Sequence, residues 1–135
     1  MSVRGFDHWA ITVQDIETTI AFYRGVLGCE ILYEELWRSG RLPIVAIRVG
    51  ANVINVHPAK APVSPHARHP TPGSADLCFR WRGTLDEASE LLHSHGVAIE
   101  EGPVPRPAAD GAPARSIYFR DPDDNLLELL STEAG

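Results

Sequence analysis

The sequence is short of cysteine, of basic charge and of long apolar runs, and each shortage removes a class of explanation. There are two cysteines, Cys29 and Cys78, far apart and in no CxxC pair. Both read as free thiols of a reducing cytoplasm. Twelve Lys and Arg face eighteen Asp and Glu, a formal charge of −6. That balance argues against nucleic acid or an anionic membrane surface as the partner, since both select for basic patches. No apolar run approaches the ~20 residues needed to cross a bilayer. The opening MSVRGFDHWA has one Arg and no apolar h-region, so no signal peptide is expected and a cytoplasmic location follows. What is present is ordinary globular material: 135 residues, 44% apolar and 22% charged. This suits a single domain over 1–135, or two small halves sharing a core.

Apolar periodicity supplies the elements. DHWAITV (7–13) alternates, with Trp9, Ile11 and Val13 on one face and His8, Ala10 and Thr12 on the other, the pattern of a strand with one apolar face. Asp15 is placed to cap a helix, with Glu17 in its first turn. Ile16, Ile20, Tyr23 and Leu27 form its buried stripe, and Gly28 ends it. CEILYEE (29–35), LPIVAIRVG (42–50) and NVINVHP (52–58) read as strands, the last two joined by a short turn. Residues 59–74 are proline-rich and read as a long loop of the kind that borders sites.

The pattern then recurs. ADLCFRW (75–81) is a strand. Thr84 and Glu87 make a capping box for a helix carrying Leu85, Ala88, Leu91 and Leu92, which ends at Gly96. VAIEEG (97–102) reads as a strand and VPRPAADGAPA (104–114) as a loop; RSIYFRD (115–121) and NLLELLS (125–131) are closing strands around the turn DPDD. His8 and Gly28 stand as far apart as Asp76 and Gly96, and NVINVH lies over NLLELL. Modules of about 5–58 and 74–131 are therefore expected, each strand, helix, three strands. In that register His8 matches Asp76, and Asn55 matches Glu128.

If a helix covers the fully apolar face of each sheet, the other face carries His8, Asn55, His57, Asp76 and Glu128. Burying such groups without partners costs several kcal/mol apiece. A divalent metal held by imidazole and carboxylate would satisfy them and leave positions for a substrate. Four further histidines, His66, His69, His93 and His95, read as solvated, the last two at a helix C-terminus. DPDD lacks the remaining ligands of a calcium loop. Cys78 faces the supposed cavity but reads as inert, with no base beside it.

FDHWAITVQDIETTIAFYRGVLGCEI resembles the opening, and SIYFRDPDDNLLEL the closing signature, of the vicinal oxygen chelate superfamily. That superfamily holds glyoxalase I, extradiol dioxygenases, methylmalonyl-CoA epimerases, fosfomycin-resistance transferases and metal-free bleomycin-binding proteins. VINVHPA, HPTPGSADLCF and IEEGPVPR resemble its glyoxalase domain-containing, or virulence-type glyoxalase-like, subgroup. The resemblance implies an α+β fold of paired βαβββ modules forming an open half-barrel, and a homodimer. It implies metal ligands at His8, Asn55, Asp76 and Glu128. Asp76 stands where many members have His, and Asn55 where glyoxalase I has Glu. His57 offers a replacement imidazole, giving His8, His57 and Glu128, with Asp76 as fourth ligand or base.

The expected activity is chelation of two neighbouring oxygens of a small-molecule substrate on a divalent ion (Fe, Zn, Ni or Mn). Glu128 and Asp76 are the candidate catalytic groups. Lyase or isomerase chemistry ranks ahead of ring-cleaving dioxygenase chemistry. The alternative is a metal-free binding protein of the bleomycin-resistance type, in which Trp37, Arg38 and Arg41 line a ligand cleft.

Overall fold

The structure, a computed structural model, describes residues 1–133. Its chain divides into two compact units, Met1–Gly73 and Ser74–Gly135. The first runs β1 (His8–Val13), α1 (Ile16–Gly25), β2 (Glu30–Leu32), α2 (Glu34–Arg38), β3 (Val45–Val49) and β4 (Asn52–Pro58). The second runs β5 (Asp76–Arg80), α3 (Leu85–Ser94), β6 (Glu101–Pro107), β7 (Pro113–Arg120) and β8 (Leu126–Ser131). Each holds a four-stranded mixed sheet, ordered β1-β4-β3-β2 and β5-β8-β7-β6. The expected βαβββ repeat is therefore present, with α2 as an extra turn of helix in the first copy.

Both long helices form for the reasons legible in the chain. Asp15 accepts from the Glu17 amide at 3.2 Å and the Thr18 hydroxyl at 2.7 Å, satisfying a donor that the first helical turn leaves free. Thr84 does the same for the Glu87 amide at 3.2 Å. At the other ends, Gly28 (φ 70°) and Gly96 (φ 72°) take the left-handed conformation that closes a helix. The following amides reach back, Cys29 to the Tyr23 carbonyl and Val97 to that of Leu92, each at 2.9 Å.

One face of each sheet is dry. Ile11, Val13, Val45, Ile47, Ile54 and Val56 are buried in the first unit with Ile16, Ile20 and Tyr23 of α1. Phe79, Ile117, Phe119, Leu127 and Leu129 are buried in the second with Leu85, Ala88 and Leu92 of α3. Removal of this apolar surface from water is the main favourable term for each unit.

Two segments depart from the sequence reading. The strand expected over 29–35 stops at Leu32, and Glu34–Arg38 are helical. That helix has no side-chain cap, and Tyr33 precedes it at φ 67°. Ion pairs hold it instead: Arg24 to Glu34 at 2.6 Å, and Arg38 to Glu34 at 2.7 Å and to Glu17 at 2.8 Å. The strand expected over 97–102 lies instead at Glu101–Pro107, so part of the expected loop 104–114 is sheet. β6 tolerates its prolines because it is an edge strand with a register shift between Glu101 and Val104. Gly102 (φ 109°) lies inside that shift, where a Cβ would run into the Ser116 carbonyl.

The closing DPDDN segment is a structural clasp. Asp121 is buried. It accepts from the amides of Asp123 (2.9 Å) and Asn125 (3.0 Å) and from Asn125 Nδ2 (2.9 Å). Asn125 Oδ1 accepts in turn from the Ala75 amide at 2.9 Å, which ties the β7–β8 turn to the start of β5. Asn125→Ala should therefore cost about 2–3 kcal/mol, read as a lower urea midpoint at unchanged slope. An unchanged midpoint would contradict the clasp.

Candidate functional site

Strand register decides which polar side chains can meet. In the first unit His8 stands opposite Val53, Asn55 opposite Ala10 and His57 opposite Thr12. All lie on the face away from Ile11, Val13, Ile54 and Val56. Asn55 is one diagonal step from His8, about 8 Å between Cα atoms; His57 is a further step along, at about 14 Å. His8 Nδ1 lies 2.7 Å from Asp7 Oδ1, and about half of its side chain is exposed, 50%. When Nδ1 carries the proton toward Asp7, Nε2 is left as a lone-pair donor, the arrangement common to metal-bound imidazoles. His57 differs. Its Nδ1 is buried and finds no hydrogen-bond partner among the described residues. Burial, with a smaller effect from the charge of His66, lowers its pKa.

The second unit repeats this geometry. Cys78 stands opposite Glu128, so Asp76 is one diagonal step from Glu128, as His8 is from Asn55. Asp76 is exposed and Glu128 half-buried. On the other side of β8, Tyr118 is the partner of Glu128. Ser116 Oγ donates to Glu128 Oε2 at 2.5 Å. Burial first, then the charge and hydrogen bond of Glu128, push the Cys78 thiol up to about 12. Next along, Arg106 Nε donates to Tyr118 Oη at 2.8 Å and its guanidinium lies 5.4 Å from the Tyr118 ring centre. The hydrogen bond to Tyr118 is the largest cause raising the Arg106 pKa, with smaller contributions from the charges of Glu101 and Glu128.

Three features change the sequence picture. First, the burial cost that asked for a metal is smaller than expected. His8 and Asp76 are exposed, and Glu128 has partners on its own sheet, which leaves the orphaned nitrogen of His57. Second, within either unit, no group of three or more His, Cys, Asp or Glu among the described residues could hold a metal ion. Third, Arg38 is not available to a ligand, because its Nε, Nη1 and Nη2 all donate to Glu34 or Glu17. Ser116, Tyr118 and Arg106 were not singled out by sequence. The one signal for them is cross-strand register, which a single sequence does not print.

Comparison with known proteins matches residues 5–129 to the Glyoxalase/Bleomycin resistance protein/Dioxygenase superfamily model. The chain is 42% identical over 131 residues to glyoxalase domain-containing protein RDO1 of Mycosarcoma maydis, covering 97% of this chain and 70% of that protein. It is 43% identical over 130 residues to virulence protein STM3117 of Salmonella typhimurium, covering 96% and 85%. The crystal structure of that protein superposes with a TM-score of 0.87 at 39% identity, covering 98% of this chain and 100% of that one. A lactoylglutathione lyase from Agrobacterium tumefaciens shares the fold at 22% identity and a TM-score of 0.71, over 97% and 96% of the two chains.

The coupling of Cys78 to Glu128 is directly measurable. In a Cys29→Ser background at pH 8, Cys78 should react with a disulfide reagent roughly tenfold or more slowly than an unperturbed exposed thiol, because little of it is thiolate. Glu128→Gln removes the negative charge and should speed the reaction. Equal rates in the two proteins would contradict the coupling.

Proposed function

Because the chain belongs to the Glyoxalase/Bleomycin resistance protein/Dioxygenase superfamily, we propose that it is a metal-dependent enzyme acting on a small substrate through two neighbouring oxygen atoms. The observation that carries this reading is the matched diagonal pairs on the uncovered faces of the two sheets, His8 with Asn55 and Asp76 with Glu128. Unrelated surface residues have no reason to recur in the same register of both copies. His8 and Glu128 are the ligands in this reading, and His57 or Asp76 completes the set.

The donors suit such an ion chemically. Imidazole nitrogen with carboxylate oxygen binds Fe, Zn, Ni or Mn. Each has a supporting hydrogen bond: His8 Nδ1–H donates to Asp7 Oδ1, and Ser116 Oγ donates to Glu128. A divalent ion bound there supplies a Lewis acid for the charge that develops on substrate oxygen. In this reading Asp76, exposed and one diagonal step from Glu128, takes a proton from the substrate and returns it. Proton transfer of that kind is lyase or isomerase chemistry, which ranks ahead of ring-cleaving oxygenation. The protein acts as a homodimer in this proposal.

A second reading is supported by the partners already on Glu128 and by the exposure of His8 and Asp76. Groups that need no ion fit a protein that holds a small molecule without metal, as bleomycin-resistance proteins do.

Elemental analysis of protein purified without added metal separates the two. The enzyme reading expects a divalent ion in stoichiometric amount, lost in both His8→Ala and Glu128→Ala at unchanged folding. Wild-type protein that is metal-free and takes up none from millimolar solution would overturn it in favour of the binding protein.

A further inference from the structure

We infer that Arg106 and Tyr118, on the uncovered face of the second sheet, form a subsite for the carboxylate of a small-molecule ligand, with Glu101 standing where that carboxylate binds; this rests on the small-molecule ligand that both readings above share and on no bound ion. The β6 register shift builds the subsite. Glu101 and Arg106 are 5 positions apart, so on a regular strand they would point to opposite faces. Between Glu101 and Val104, three positions of β6 pass two of β7, since their partners are Tyr118 and Ser116. The extra residue returns Arg106, opposite Ala114, to the face of Glu101 and Tyr118. Bulges of this kind re-aim side chains.

Arg106 is held in place there. Its Nε donates to Tyr118 Oη at 2.8 Å and its guanidinium lies 5.4 Å from the ring centre, so a bond and a stack fix its plane. Nη1 donates to the Pro105 carbonyl at 2.8 Å. Nη2 reaches Glu101 Oε2 only at 3.3 Å, and the two side chains are 41% and 58% exposed. An ion pair that long and that wet contributes little. Each terminal nitrogen keeps a second N–H, with no acceptor among the described residues. Tyr118 Oη accepts from Arg106 and keeps its own proton, also without an acceptor among the described residues. A fixed guanidinium fork beside a hydroxyl donor matches a carboxylate in shape and charge. Exchange of Glu101 for a ligand carboxylate leaves the charge around Arg106 unchanged, so it adds no repulsion from Glu128, whose charge also acts on Arg106.

The test uses benzoate and its neutral analogue benzamide on EDTA-treated protein. Saturation transfer from protein to probe gives the affinity, and the NMR signal of the Arg106 Nε–H gives the place. Wild-type protein should bind benzoate at millimolar concentration, shift that signal, and bind benzamide roughly tenfold more weakly. Arg106→Gln should lower benzoate affinity roughly tenfold or more, and Tyr118→Phe roughly fivefold. Glu101→Gln removes the competing carboxylate and should raise it roughly threefold. If Arg106→Gln does not fold, Arg106→Lys, which keeps the charge and loses the fork, makes the same comparison. Equal affinity for benzoate and benzamide overturns the inference. So does wild-type affinity in Arg106→Gln, or in Glu101→Gln. Folded wild-type protein that binds no benzoate at tens of millimolar overturns it as well. None of these outcomes bears on the metal reading, which elemental analysis decides separately.

Discussion

A four-stranded sheet backed by one helix presses one face of its strands against that helix, and the placement of every candidate residue follows from that constraint. Strand side chains alternate, so each strand gives half its residues to the helix side and half to the other. In the first unit the helix side takes Ile11, Val13, Ile54 and Val56; in the second it takes Phe79, Leu127 and Leu129. His8, Asn55, His57, Asp76 and Glu128 are left on the opposite faces by the same alternation. A slip of one residue in β8 would move Leu127 and Leu129 to the open face and Glu128 into the core.

The open faces differ in how their polar groups are supported. Glu128 sits between Leu127 and Leu129, both buried, on a strand paired on each side. Such a carboxylate needs a donor, and Ser116 supplies it. His8 lies at the first residue of β1, where solvent and Asp7 suffice. His57 is the unsatisfied member, with its Nδ1 buried and without a partner among the described residues. It lies about 14 Å from His8 along the strands, so the two imidazoles would have to lean toward each other to share an ion. The register places Asn55, rather than His57, beside His8.

Much of this was legible in the sequence because its causes are local. Capping by Asp15 and Thr84 and the left-handed glycines Gly28 and Gly96 act within one turn of chain. Alternation in DHWAITV and NLLELLS assigns faces without knowledge of the fold. The repeat extended this reach, since equal spacing of His8 to Gly28 and Asp76 to Gly96 gave the same register in both sheets. The misread segments have distant causes. α2 depends on ion pairs from Arg24 and Glu17, which lie outside its own sequence. β6 looks like a loop because prolines break strands, and it survives as an edge with one register shift. Ser116 was invisible for a related reason. A serine in RSIYF has no marking until β7 is set against β8.

The proposed function stands or falls on whether His8, on an exposed strand end, is a ligand of a divalent ion, and on whether Glu128 is another. Pulsed electron paramagnetic resonance of Cu²⁺- or Mn²⁺-loaded protein reports this directly, through the nitrogen coupling of a bound imidazole. The account predicts an imidazole nitrogen signal in the wild type that vanishes in His8→Ala, and loss of the bound ion in Glu128→Ala. A bound ion with no imidazole coupling, or one whose coupling persists in His8→Ala, would contradict it.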